Sequence, residues 1–177
     1  MDAKSDQIAQ LVEYFHLKPL ADEGGLFTQT YRSAQMIPQS ALPARYASHR
    51  PCGTAILYLL SAAAQSFSAV HRLLSDEIYH FYLGDPVEML LLYPEGGSET
   101  IILGADVLAG QKVQFVVPAG VWQGSHLQQG GQYALIGTTM APGYDNADFQ
   151  LGQREALLSG YPASAGLICS LTRSEGS

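Results

Sequence analysis

The sequence predicts an all-β fold, an antiparallel sandwich or barrel with a short helix at each end. Three observations predict it. About eight or more short apolar runs of strand length fill the middle of the chain. Gly and Pro turns separate those runs, and helix-spaced apolar residues occur only near the two ends. The composition agrees: 47% hydrophobic and 14% charged residues are too apolar a mixture for disorder. No repeat and no linker interrupts residues 1–177, so one domain is expected, with its core over about 20–162.

The elements follow in order. Residues 5–16 (SDQIAQLVEYFH) place Ile8, Leu11, Val12 and Phe15 on one helical face, with Ser5 or Asp6 to cap the first free amides. Lys18-Pro19 ends that helix, and Glu23-Gly24-Gly25 is a turn into a strand over 26–32. An ion pair between Glu23 and Arg32, which flank this strand, is expected. Residues 33–53 carry Pro38, Pro43, Pro51 and Gly53 without periodicity and read as a loop that reaches a neighbouring subunit. Residues 54–60 (TAILYLL) are a strand covered on both faces. Strands follow at 66–74, 77–83, 87–93, 99–103, 112–117, 121–127 and 132–140, each bounded by Gly, Pro, Asp or Ser. Residues 150–160 read as a short helix, Asp145 and Asp148 as its capping turn, and the tail after Pro162 as small and polar with a loose end.

Charge and special residues exclude several classes. The net charge is −7 and the 9 Lys and Arg form no stripe, so no nucleic-acid partner is expected. The two cysteines, Cys52 and Cys169, lack CxxC spacing and read as reduced, partly buried thiols. MDAKSDQIAQ lacks a basic segment followed by an apolar run, and no apolar run reaches spanning length. A cytoplasmic protein without membrane contact is the expectation.

Candidate chemistry gathers at 69–94 (AVHRLLSDEIYHFYLGDPVEMLLLYP). With period two, Glu77, Tyr79, Phe81 and Leu83 share one strand face, and Ile78, His80 and Tyr82 the other. A carboxylate in so apolar a strand is costly to bury without a partner, which singles out Glu77. His71, one short turn earlier, is placed to face the same cavity. His80 has the opposite parity.

His71, Glu77 and Gly84 resemble the first cupin motif, HxH-x3-E-x6-G, and Pro118-Ala119-Gly120-Val121-Trp122-Gln123 resembles the second, PxGxxH. The strings EGGLFTQTYRS, HRLLSDEIYHFYLGDP, VPAGVWQGS and APGYDNADFQL are similar to one cupin branch, a conserved domain family of unknown function. The resemblance covers most of the chain. It implies an antiparallel double-stranded β-helix, the cupin jelly-roll barrel, with its site inside and a homodimer as the assembly. The metal-binding cupins use two His and a Glu of the first motif and a His of the second. Here His71 and Glu77 match, but Leu73 and Gln123 stand in the other two places.

No cofactor is therefore expected; any metal would be left with His71, Glu77 and Gln123, a poor set for a transition ion. The expected site has His71, Glu77 and Tyr79 as catalytic groups, and Phe81, Trp122 and Gln123 as ligand-binding groups. Its expected partner is a small-molecule ligand. Metal-free cupins include sugar-nucleotide epimerases, so the cupin resemblance implies by analogy of fold a proton transfer on a carbohydrate-like compound, with His71 as base and Tyr79 or Glu77 as acid. The alternatives are a metabolite-binding module without turnover and a metal-dependent enzyme with a reduced ligand set.

Overall fold

A computed structural model describes residues 3–64 and 66–173. Helix α1 (Ala3–Tyr14) comes first, then the short β1 (Lys18–Pro19) and β2 (Leu26–Arg32). A long connection carries the paired β3 (Met36–Ile37) and β4 (Arg50–Pro51). The central strands are β5 (Thr54–Ser61), β6 (Phe67–Arg72), β7 (Glu77–Gly84), β8 (Val87–Leu92) and β9 (Ser98–Leu103). After them come β10 (Gln114–Val117), β11 (Trp122–Leu127), β12 (Tyr133–Met140) and the short β13 (Gln150–Leu151). Helices α2 (Arg154–Gly160) and α3 (Ala165–Ser170) follow.

Two antiparallel sheets face each other, in the orders β1-β2-β5-β12-β7-β10 and β13-β6-β11-β8-β9. This is the expected jelly roll, and the alternation of side chains explains it. In β5, Tyr58 and Leu60 enter the space between the sheets, where they meet Tyr79, Met89, Leu91 and Ile136. Leu57 and Leu59 point the other way and are covered by Ile8, Leu11 and Val12 of α1. In the second sheet, Leu90 and Leu92 point outwards against Leu157, Ile168 and Leu171 of the C-terminal segment. β5 and β8 are thus covered on both faces, which accounts for runs as apolar as TAILYLL and VEMLLL.

Several local expectations meet a different outcome. The 33–53 segment is fastened to its own barrel: the Tyr46 hydroxyl bonds Leu74 O and Ser75 Oγ, and Arg50 is fully buried. Residues 150–151 form β13 beside β6, and the helix begins only at Arg154. Asp145 and Asp148 do not cap that helix; Asp145 Oδ1 caps a 3-10 turn over Asn146–Asp148, and Asp148 pairs with Arg50. The chain after Pro162 is folded through residue 171, because Ile168 and Leu171 supply the apolar cover that the outer face of β8 and β6 needs, and the tail end expected to be loose lies outside the described residues. Cys169 is exposed rather than partly buried, since it lies on the solvent side of α3.

Candidate functional site

Apolar side chains fill one half of the barrel, and the other half holds a cavity of about 600 Å³. Its floor is built by His71, Leu73, Glu77, Thr138 and Met140, all buried. Its walls include Phe27, Ile56, Tyr144 and Phe149. The register places Glu77 beside Met140, Met140 beside Thr54, and Thr54 beside Arg32, so one row runs from floor to rim across the first sheet.

His71 is 2% exposed. Its Nδ1–H donates to Ala69 O at 2.8 Å, and Phe149 stacks on the ring with centroids 5.2 Å apart. Its Nε2 lies 3.9 Å from Glu77 Oε2, too far for a strong hydrogen bond, so this N–H remains available on the cavity side. Glu77 Oε2 accepts Gln123 Nε2–H at 2.7 Å and the Tyr79 hydroxyl at 3.3 Å. Gln123 sits opposite His71 in the β11–β6 register, and its buried Oε1 has no hydrogen-bond partner among the described residues.

Glu23 is the residue that reasoning from the sequence missed. The expected ion pair with Arg32 does not form, because Arg32 donates instead to Tyr144 O at 3.1 Å. Glu23 lines the cavity and accepts Ser68 Oγ–H at 2.7 Å. The turn that carries it is tied to β6, because Glu23 O accepts Ala69 N–H at 2.7 Å. Gly24 makes the approach feasible: its φ is +108°, and a Cβ there would sit 2.2 Å from Phe67 O. The signal was present in the EGG string, where a carboxylate precedes two glycines.

A β-bulge brings Ser68 and His71 together. Residues three apart in a regular strand face opposite ways, yet Ser68 pairs with Ser125 and His71 with Gln123, two residues apart on β11. The extra residue in β6 turns both side chains inward, a recurrent use of bulges beside sites. Gly124 allows it, since a Cβ there would meet Val70 Cγ2 at 2.9 Å.

These neighbours set the charges. Burial alone would depress the His71 pKa. The attraction of Glu23, then that of Glu77 with its Oε2 3.9 Å away, then the Ala69 carbonyl outweigh it and raise His71 from 6.5 to about 9. His71 is therefore an imidazolium at neutral pH. Burial raises the Glu23 pKa, His71 partly offsets that rise, the Glu77 charge adds to it, and the Ser68 hydroxyl opposes it. Burial, with Glu23 and Glu77 nearby, pushes the Tyr144 phenol up to about 12, so it stays a donor on the cavity wall.

The other expected site residues divide. His71 and Glu77 face one cavity, and Gln123 and Tyr79 bond Glu77 from behind it. Phe81 does not line the cavity; it packs against the apolar half of the barrel, two rows further along β7. Trp122 is turned to the outer face of the second sheet, where Arg72 lies 4.5 Å over its ring, because it neighbours the inward Gln123. His80 bonds Thr139 Oγ1 on the outer face, and His126 faces Glu88 at 3.1 Å outside the barrel.

The usual cupin metal does not fit this donor set. Leu73 fills a ligand position on the floor with a hydrocarbon side chain, and Gln123 turns its amide nitrogen, which cannot ligate, towards Glu77. Among the described residues no three His, Cys, Asp or Glu side chains converge as a metal site would require.

A jelly roll of two antiparallel sheets with a polar cluster inside one half is a cupin. The chain belongs to the branch described as Cupin superfamily (DUF985), whose family profile matches residues 9–152. The crystal structure of a protein from Shewanella oneidensis is 31% identical, with a TM-score of 0.81 over 99% of this chain and 100% of the other. A hypothetical protein from Leishmania major is 25% identical, also with a TM-score of 0.81, over 94% and 98% of the two chains. An uncharacterized protein of Saccharomyces cerevisiae is 29% identical over 135 residues, which are 71% of this chain and 66% of that protein's length. Among the described residues no helix is long and apolar enough to cross a membrane.

Proposed function

We propose that the barrel cavity binds a small carbohydrate-like metabolite and moves a proton on it. The observation that carries this reading is the His71 Nε2–H, directed to a cavity of about 600 Å³ and flanked by Glu23 and Glu77. An imidazolium is a proton donor, so the expected role of His71 as base passes to a carboxylate. Glu23 suits it: burial makes this carboxylate more basic than usual, and Ser68 fixes its orientation. Glu77, bonded by Gln123 and Tyr79, holds the charge of His71 in place.

The chemistry follows for a carbon next to a carbonyl. Glu23 takes the proton from that carbon, and the electron pair moves onto the carbonyl oxygen, which accepts the His71 Nε2–H bond. Return of the proton from Glu23 to the neighbouring carbon, with the first carbon's hydroxyl proton passing to the former carbonyl oxygen, gives an isomer; delivery of a proton to the opposite face by a second acid gives an epimer. The test is incubation with a panel of keto sugars and sugar nucleotides in deuterated water. Deuterium entering a carbon position with the wild type but not with His71→Asn or Glu23→Gln supports turnover. Binding without exchange assigns the cavity to a metabolite-binding module.

A homodimer completes the reading. Tyr82 and Val116 are exposed on the outer side of the β7–β10 pair, with Leu83 and Val113 close by, and β10 is a sheet edge. Light scattering on the purified chain tests it: a dimer mass is expected, and a monomer mass at all concentrations contradicts it.

A further inference from the structure

The rim of the cavity differs in chemistry from its floor. Lys18 of β1 and Arg32 at the end of β2 line the cavity, and both are exposed. Arg32 is held in place by its bond to Tyr144 O, which uses one of its donors. Among the described residues, the Lys18 side chain makes no hydrogen bond or ion pair, although its backbone pairs with Phe27, and Arg32 makes no ion pair. Elsewhere Lys4 pairs with Asp85 and Arg50 with Asp148, while Arg45, Arg72 and Arg154 donate to neighbouring oxygens. The acids that line the same cavity each accept hydrogen bonds from the protein. Asp145 caps its turn, Glu23 accepts from Ser68, and Glu77 accepts from Gln123 and Tyr79. Among the described residues the side chains of Lys112 and Arg173 also make no hydrogen bond or ion pair, but neither lines the cavity, so the positive charge left at its rim is that of Lys18 and Arg32.

We propose that the ligand is an anion, a sugar- or polyol-like metabolite whose phosphate or carboxylate sits at the rim against Arg32 and Lys18. Its hydroxyl or carbonyl oxygen then reaches the His71 Nε2–H at the floor. This rests on the reading that the cavity binds a ligand and adds the ligand's class. A guanidinium offers paired donors that match phosphate or carboxylate oxygens, and an ammonium adds a point charge. The cavity volume is in the range that encloses small metabolites. Phe27, Ile56 and Phe149 give apolar faces for a ring, and Thr28, Thr54 and Gln29 give polar contacts between rim and floor.

The test is a titration followed by amide and side-chain NMR of the full chain. The probes are glucose 6-phosphate, ribose 5-phosphate and glucuronate, their neutral parents glucose and ribose, and inorganic phosphate. At least one anionic sugar is expected to bind tenfold or more tighter than its neutral parent, and to shift Lys18, Arg32 and His71 signals together. The phosphate and carboxylate arms decide which anion is preferred. Lys18→Gln with Arg32→Gln is expected to weaken that probe tenfold or more and to flatten its salt dependence, with an unchanged melting temperature. Equal binding of the neutral parents, unaffected by the double substitution, overturns the anion while leaving the ligand cavity intact. Shifts at the rim with phosphate alone, His71 unmoved by any sugar, mean an adventitious ion only and overturn the proposal. No shift with any probe overturns both the anion and the ligand-binding reading beneath it.

Discussion

Raising the pH from 6.5 to 9 is predicted to destabilise this protein by an amount that belongs to His71. The folded pKa is about 9 and the ordinary value is 6.5. Between them the folded chain holds a proton that the unfolded chain has lost, so stability falls as pH rises. The contribution is fully present below 6.5 and is gone above about 9. Each pH unit in that window costs about 1.4 kcal/mol, so the whole effect is roughly 3 kcal/mol. Glu23, whose folded pKa is also raised, acts in the same direction in a window beginning at its ordinary 4.5. Tyr58 and Tyr79 are pushed up as well, which confines the measurement to pH values below 10. The assay is urea unfolding at several pH values for the wild type and His71→Asn. The wild type should lose roughly 3 kcal/mol more than the variant across the window. Parallel profiles would refute the assignment of the proton to His71.

Three further predictions test separate parts of the site. Leu73→His adds a third donor beside His71 and Glu77, so the variant should retain a divalent transition metal through gel filtration. Metal analysis should find more of it than in the wild type, and equal contents would count against the donor-set argument. Asp148→Asn leaves the buried Arg50 without its carboxylate, now held at 2.7 and 2.5 Å, and should cost about 3–5 kcal/mol in urea unfolding; a cost below about 1 kcal/mol would show the pair to be dispensable. Glu23→Gln removes the largest attraction acting on His71 and should lower its titration midpoint by at least about one pH unit. An unchanged midpoint in that variant would assign the effect to Glu77 alone.

The fold was legible because strands buried on both sides keep their period and their turns. Residues 54–60 and 87–93 needed only apolar runs bounded by Gly, Pro and Asp to be placed. His71 and Glu77 stood out as polar groups in such runs. Glu23 did not, because it sits in a turn where a carboxylate is ordinary, and only the tertiary bond from Ala69 N–H draws that turn across β6. The shared orientation of Ser68 and His71 was hidden by a bulge that no two-residue period reveals. The same period does separate Trp122 from Gln123, and reading it strictly would have sent Trp122 to the outer face. The segment 165–170 (AGLICS) is too short to announce itself as a helix; its order comes from burying Ile168 against the second sheet.

The central claim is that two carboxylates hold a buried imidazolium at the floor of a ligand cavity. Nitrogen-15 NMR of the ring nitrogens across pH tests it most directly, with the His71 signal among the five histidines assigned by its loss in His71→Asn. The account predicts both His71 nitrogens protonated at pH 7 and a midpoint near 9. A neutral ring at pH 7, with a midpoint at or below 6.5, would contradict it.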